Sequence, residues 1–287
     1  MKDFPEFLRF NIETPVNNAV NWLLLTFGGF FDIVKDCVLW LLMQIEGFLI
    51  WLPWWLIIAV VIYLGWRATG RLRFGLIMGA LMLIIGCFGL WDRAMQTVAI
   101  VTGAVFISLA LGIPLGIWMA WNNNVESCLR PLLDAMQTMP SFVYLIPAMM
   151  FFSLGKVPAL FATTIYAIPP IIRLTNLGVR QVPEDVVEAG RAFGSTRLQI
   201  LFKIQMPLAM PSIMSGVNQT TMMALAMVVL ASMIGAQGLG EPVLIGLQRV
   251  NIGQGFEAGL SIVILAIIID RILQGFGQKR QTVEPSA

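Results

Sequence analysis

Histidine is missing from all 287 positions. That absence removes His-ligated zinc, Ser-His and Cys-His nucleophile pairs and any imidazole proton shuttle. Charge is scarce as well. Asp, Glu, Lys and Arg make up 12% of the chain, about half the share with which a soluble domain hydrates its surface. The cysteines are Cys37, Cys87 and Cys128, far apart and without a CxxC pair, so they read as small apolar residues. No GxxxxGK[ST] run occurs, because Gly155-Lys156 is followed by Val157. The chain therefore has no loop of that kind to cradle nucleotide phosphates. An uninterrupted apolar leader is lacking too, since Lys2, Asp3, Glu6, Arg9 and Glu13 break up the start, and internal spans are expected to direct insertion.

What the chain has instead is apolar bulk: 58% hydrophobic residues and a mean hydropathy of +0.82. This composition implies an all-α polytopic membrane protein. The net charge of +2 and pI near 8.5 suggest no nucleic-acid partner.

Charged residues delimit the spans. The uncharged stretch from Glu46 to Arg67 is long enough to cross about 30 Å of hydrocarbon at about 1.5 Å per residue. Trp51, Trp54 and Trp55 at its start suit an interfacial belt. Further spans are expected at Phe74–Trp91, Thr97–Trp121, Ala135–Leu154, Val157–Ile172, Ala209–Ile234 and Gly255–Ile272, giving about seven. With the Arg67–Arg73 loop inside, only Lys2, Arg9, Lys35, Arg93, Lys156 and Arg249 of the 18 basic residues fall outside. That bias places the N-terminus out and the C-terminus in the cytoplasm.

Residues 1–46 form an outer N-terminal segment. Phe27, Phe30, Phe31, Val34, Val38, Leu41 and Leu42 recur at helical spacing, with Asp32, Lys35 and Asp36 on the other face. The pattern predicts an amphipathic helix at the interface or packed on the bundle; a first span over Val20–Phe48 is the alternative. Residues 47–91 supply two accessory spans, 92–278 a core of about five, and 279–287 a cytoplasmic tail.

One polar, basic segment interrupts the core. Pro183, Glu184 and Asp185 suit a helix start, with carboxylates at the positive end of the dipole. A short helix over Val186–Phe193 meets Gly194, Ser195 or Thr196 can cap a second helix over Arg197–Gln205, and Pro207 is expected to stop it before the next span. Segment 183–207 is thus a cytoplasmic helix–turn–helix able to offer a rigid knob to another protein.

Glu188-Ala189-Gly190, Gly194 and Ile204-Gln205-Met206-Pro207 resemble the EAA motif, E-A-A-x3-G-x9-I-x-L-P, of binding-protein-dependent ABC importer permeases. Gly190 stands for the second Ala and Met206 for the Leu. Met139-Pro140-Ser141-Phe142-Val143-Tyr144-Leu145, Ile168-Pro169-Pro170-Ile171-Ile172-Arg173-Leu174 and Gly216-Val217-Asn218-Gln219-Thr220 resemble the glycine betaine/proline betaine (osmoprotectant) branch, whose relatives also handle choline or carnitine. The resemblance covers roughly residues 90–275. It implies a type I ABC importer transmembrane domain in a bacterial inner membrane, with Glu188, Ala189, Gly190, Gly194, Ile204 and Pro207 coupling it to a separate ATPase. It further implies two ATPase copies binding ATP and Mg, an external substrate-binding protein, and a permease homodimer or a pair with a paralogue. In this chain neither cofactor nor metal is expected.

Asn218, Gln219, Thr220 and Thr221 place amides and hydroxyls inside one span, where they either line a path or hydrogen-bond neighbouring helices. Asn218, Thr221 and Ser232 are path candidates. Phe142 and Tyr144, with Phe151, Phe152 and Tyr166 nearby, offer aromatic faces to a quaternary ammonium. Gly112-xxx-Gly116 and Gly75-xxx-Gly79 permit close helix approach, within the chain or at a dimer seam. The stretch Gly235–Pro242 reads as an outer loop facing the binding protein. An ion-driven secondary transporter or channel would want acidic groups mid-bilayer, and the charged residues Glu257 and Asp270 lie near the ends of the last span. An intramembrane enzyme finds no convincing catalytic set.

Overall fold

A computed structural model describes residues 13–281, with side chains to residue 276. Lys2, Asp3, Glu6 and Arg9, and residues 282–287 of the tail expected at 279–287, lie outside the described residues; of Lys279 and Arg280 only the backbone is described. Twelve α-helices and no strand occur among the described residues. They are α1 Glu13–Trp51, α2 Trp54–Thr69, α3 Leu72–Cys87, α4 Trp91–Trp121, α5 Asn123–Thr138 and α6 Leu145–Phe152. Next come α7 Lys156–Arg180, α8 Glu184–Ala192, α9 Arg197–Ile200, α10 Met206–Ser232, α11 Gly240–Gln248 and α12 Ile252–Gln281.

The centre is a packed trio of α4, α7 and α10. Apolar attraction cannot hold it together in lipid, whose tails are as oily as leucine, so close backbone approach must. Glycine supplies that approach. A Cβ on Gly116 would stand 2.7 Å from the Ile172 carbonyl oxygen and 2.6 Å from Thr175 Cβ; one on Gly112 would stand 2.4 Å from Ile171 Cγ2. The Gly112/Gly116 pair of α4 thus seats α7 of the same chain. Gly178 does likewise for α7 against α10, where a Cβ would meet Ser212 Cβ at 2.8 Å. Gly75 presses α3 onto α2, with the Ile62 carbonyl oxygen 2.4 Å from its would-be Cβ.

Helices α2, α3 and α12 form a flanking group around Ile58, Met78, Met82, Ile85, Ile264 and Ile268. Phe106, Leu111 and Trp118 stay exposed on α4, as a lipid-facing surface requires. By length and apolarity, α4, α7 and the run Arg197–Ser232 can each cross a membrane, and up to five crossings result if each bent helix pair makes one. The charge gaps suggest about seven. Part of the difference is that α2 and α3 have 16 residues each, roughly 24 Å at the helical rise.

Three local expectations need correction. The span expected at Ala135–Leu154 is broken: α5 ends at Thr138, Pro140 precedes a 3-10 turn over Ser141–Tyr144, and α6 departs at 110°. The residue before a proline is pushed out of the helical region, and Met139 is extended, with ψ 136°. Pro207 does not stop a helix. Leu201–Gln205 widens into a π turn that leads straight into α10, with the Met206 N–H donating to the Leu201 carbonyl. The wider turn accommodates a proline that lacks an N–H and would clash with the preceding turn of an ordinary helix. Finally, the N-terminal helix does not end near residue 46 but runs unbroken to Trp51, then bends 97° into α2.

Helix α1 is mostly exposed yet anchored. Leu42, 2% exposed, packs with Ala104 and Leu160, and Phe31 lies against Phe151 and Phe152 of α6. Glu46 Oε2 accepts from Lys156 Nζ at 2.6 Å, while Gln96 Nε2 donates to Glu46 Oε1 at 3.2 Å. Nearby, Arg93 pairs with Glu241, and the Leu239 N–H donates to Thr97 Oγ1 at 2.8 Å. The expected loop Gly235–Pro242 is accordingly pinned, with Ala236, Leu239 and Gly240 buried and Gly235 and Gln237 exposed.

Gly116→Ala is expected to lower stability by about 1–3 kcal/mol, because a backbone carbonyl cannot yield as a side chain can. Gly28→Ala, whose Cβ meets nothing within 4 Å, should be neutral or stabilising by up to about 1 kcal/mol. Thermal unfolding of both variants in detergent checks the pair; equal midpoints would refute the packing argument.

Candidate functional site: the hairpin and the polar face of α10

The hairpin begins with α8, whose first turn carries Glu184 and Asp185. Its end closes by two turn hydrogen bonds: Ser195 N–H to the Gly190 carbonyl at 3.0 Å and Gly194 N–H to Arg191 at 2.9 Å. Between them Gly194 adopts φ +80°, a left-handed conformation that glycine takes without steric cost. Nothing lies within 4 Å of a Cβ placed there, so conformation rather than crowding selects the residue. Of the two capping candidates, Thr196 caps α9. Its Oγ1 accepts from the Gln199 N–H at 3.3 Å, and Gln199 Oε1 accepts from the Thr196 N–H at 2.8 Å. This reciprocal T-x-x-Q box was present in the sequence as a signal.

The two arms pack through a small apolar knot of Val182, Val187, Ile200 and Ile204. Gly190 sits at its centre: a Cβ there would lie 2.6 Å from Ile204 Cδ1. That atom ends a flexible side chain, so either Gly or the motif's usual Ala can face Ile204. Glu188 and Ala189 are exposed, and Glu188 makes no ion pair among the described residues. Pro207, exposed at the start of α10, follows the π turn.

An apolar tip accompanies these charges, and spacing alone did not single it out. Phe193 is 90% exposed, with Leu198 and Phe202 also open to solvent. The sequence signal was bulky apolar residues inside an otherwise polar loop. Behind the tip, a cleft of about 250 Å³ is lined by Trp121, Val187, Arg191, Arg197, Ile200 and Gln205. Trp121 Nε1 donates to Gln205 Oε1 at 3.5 Å across it, joining the end of α4 to the hairpin.

The five path candidates do not converge within one chain. Asn218 Nδ2 donates to Asp270 Oδ1 of α12 at 2.9 Å, and Gln274 donates to the same oxygen at 2.7 Å. Thr221 and Ser232 are buried and return their hydroxyls to the carbonyls of Val217 and Val228. Tyr144 is buried, with its hydroxyl donating to the Met136 carbonyl, and its ring lies 6.0 Å from that of Tyr166. Phe142 is exposed. Phe152 stacks on Phe161 at 4.4 Å. On α10, Ser215, Gln219, Met222 and Ala226 are exposed, a polar-bearing stripe at helical spacing. No metal-holding group of three or more acidic, Cys or His residues exists among the described residues.

Comparison with known proteins agrees with this architecture. Residues 112–281 match the family described as "Binding-protein-dependent transport system inner membrane component". The chain is 45% identical over 267 residues to the glycine betaine/proline betaine transport system permease protein ProW of Escherichia coli, covering 93% of this chain and 75% of that protein. It is 44% identical over 269 residues to the glycine betaine transport system permease protein OpuAB of Bacillus subtilis, covering 93% and 94%. Among solved structures, a chain of the MetNI methionine ABC transporter in an inward-facing conformation superposes with a TM-score of 0.56 at 22% identity, covering 66% of this chain and 94% of that one; a second crystal form gives 23% identity at the same TM-score and coverage. At that identity the likeness shows the fold alone. A family match over more than half of the chain, with relatives this similar over nine-tenths of it, places this protein in the binding-protein-dependent transport system inner membrane component family, as a permease subunit of an ABC importer.

Proposed function

We propose that this chain carries glycine betaine or a related methylated amine, such as proline betaine, carnitine or choline, across the inner membrane. Support for that substrate class comes from relatives named for such substrates, including the glycine betaine/carnitine transport permease protein GbuB of Listeria monocytogenes, 44% identical over 262 residues. The observation that carries the mechanism is the exposed hairpin 183–207, built on the left-handed Gly194 and tipped by Phe193.

In this reading the tip docks in a groove of a separate ATPase, which binds ATP and Mg and performs the hydrolysis. Glu188, Ala189, Gly190, Gly194, Ile204 and Pro207 act as coupling parts. The chain contributes transport, not catalysis. Because Arg197–Ser232 is one helical run, a displacement of the tip reaches α10 without crossing a flexible joint. The π turn at Leu201–Gln205 is the position where that run can adjust its winding. Two hairpins on two copies of the chain, each engaging one ATPase, rock the bundle between inward-open and outward-open states. A substrate-binding protein delivers the amine at the opposite end, where Gly235 and Gln237 are exposed. Orientation follows from the basic residues around the hairpin: N-terminus outside, C-terminus in the cytoplasm. Residues 92–278 form the permease core, and 47–91 with the N-terminal helix are accessory.

Between two copies, the translocation path is assigned to the exposed stripe Ser215, Gln219, Met222 and Ala226 of α10, with Phe142. Gln219 makes no hydrogen bond among the described residues, while Asn218, Thr221 and Ser232 bond within the chain. An exposed amide without a partner is costly against lipid and suits a wet path. Asn218, Thr221, Ser232 and Tyr144 then support its wall from behind.

Gly194→Asp should leave membrane insertion intact and abolish substrate-stimulated ATPase activity in the assembled complex. The left-handed conformation that Gly194 takes freely is less favourable for a residue with a Cβ, and Asp also adds a negative charge to the turn. Normal coupling in that variant would discredit the hairpin's role. Co-purification provides the broader test: an ATPase should accompany the chain in a fixed ratio, and uphill uptake by vesicles holding this polypeptide alone would overturn the importer reading. Gln219→Leu should reduce uptake at least about tenfold, the loss expected when a contact of about 1.4 kcal/mol is removed, while ATPase co-purification persists. Unchanged uptake would move the path away from α10.

A further inference from the structure

At the hairpin end of the bundle, a second cavity of about 230 Å³ opens between α4, α5 and α7. Its wall combines Arg130, Arg173 and Arg180 with Glu126, and with the apolar side chains of Met119, Leu133, Leu174 and Leu177. Arg180 is committed to structure. Its Nη2 donates to the Met119 carbonyl at 2.8 Å and to Asn123 Oδ1 at 2.9 Å, and lies 2.9 Å from Glu126 Oε2; its Nε donates to Asn176 at 3.0 Å. Glu126 is neutralised by that pair, and its Oε1 accepts from Asn176 Nδ2 at 3.3 Å. Arg173 pairs with Asp134 through Nη2, yet its buried Nε donates to no acceptor among the described residues. Arg130 is exposed and makes no ion pair there.

Three guanidinium groups therefore face two carboxylates, and the surplus charge resides on Arg130. The position supports an interfacial depth. Trp118, Trp121 and Leu132 are exposed nearby, and aromatic side chains gather at the membrane–water boundary. Helix α5 has a polar face carrying Asn124, Glu126 and Arg130 and an apolar side containing Leu129 and Leu133, as an interfacial helix does. We propose that this cavity binds one phosphate-bearing anion, with Arg130 as its principal ligand and Arg173 beside it, and that the anion is the phosphodiester headgroup of an acidic phospholipid. Guanidinium groups match phosphate oxygens in a fixed fork geometry. Basic pockets between membrane helices recognise anionic headgroups on the same ground. The apolar part of the wall favours a lipid over a free ion, because it can receive the start of an acyl chain.

The test is native mass spectrometry of the full chain in mild detergent, incubated with equal amounts of phosphatidylglycerol and phosphatidylcholine. A parallel calorimetric titration uses inorganic phosphate. The expected result is preferential retention of one phosphatidylglycerol, reduced about tenfold in Arg130→Ala and partly restored in Arg130→Lys. Arg130→Gln, which keeps much of the side-chain stem, guards against a packing defect, and all variants should keep the wild-type unfolding midpoint. Arg130-dependent phosphate binding without lipid preference would support the site and identify a free anion as its source. Equal retention of both lipids with no Arg130-dependent phosphate binding, or a phosphatidylglycerol preference indifferent to Arg130, would overturn it.

Discussion

The fold depends on close backbone approach between helices that have no hydrophobic reason to associate in lipid. Gly112 and Gly116 let α7 lie against α4, and Gly178 lets α10 lie against α7. Each contact brings backbone and side-chain atoms to distances that a Cβ would forbid. Dispersion contacts of this kind are individually weak and gain strength only in number, so the glycine seams decide which helices pair. Lipid covers what remains, which explains the exposed Phe106, Leu111 and Trp118.

The trio has two ends of different character. Around the hairpin, rigidity comes from local devices: a left-handed glycine, a reciprocal cap and a small apolar knot. The opposite end is tied by long-range polar contacts. Glu46–Lys156 joins α1 to α7, with both side chains mostly buried at 12% and 17% exposure. Gln96 adds α4 to that pair, and Arg93–Glu241 and Leu239–Thr97 secure the segment leading to α11. Losing one partner of a buried ion pair costs more than the pair itself contributes, so α1 is held where it is although most of its surface is open. In the proposed transport cycle, a tip that moves as a unit and an opposite end fastened by separable contacts suit a bundle that must rock.

Much of the hairpin was legible because its determinants are local. Pro183, Glu184, Gly194 and the Thr196–Gln199 pair act on neighbours within a few residues, and the motif spacing survives intact in the helices. The unseen features are longer in range or change the helix itself. Pro207 reads as a stop under the rule for ordinary helices, but the π turn Leu201–Gln205 just before it absorbs it. Pro140 lies in a stretch whose apolarity suggests one span, yet the chain turns by 110° there. The exposure of Phe193 was not legible, because solvent exposure is a property of packing.

Composition by itself settled that the protein lives in a bilayer, because so few charges cannot hydrate a surface of this size. Charge gaps and turn chemistry then located the long apolar helices and the polar hairpin between them. Which polar groups remain free was decided only in three dimensions. Asn218 and Gln219 are adjacent and chemically alike, but Asp270 from α12 meets the first and nothing described meets the second. A partner 52 residues distant leaves no periodic trace in the sequence, since burial and hydrogen bonding depend on which helices the glycine seams have brought together.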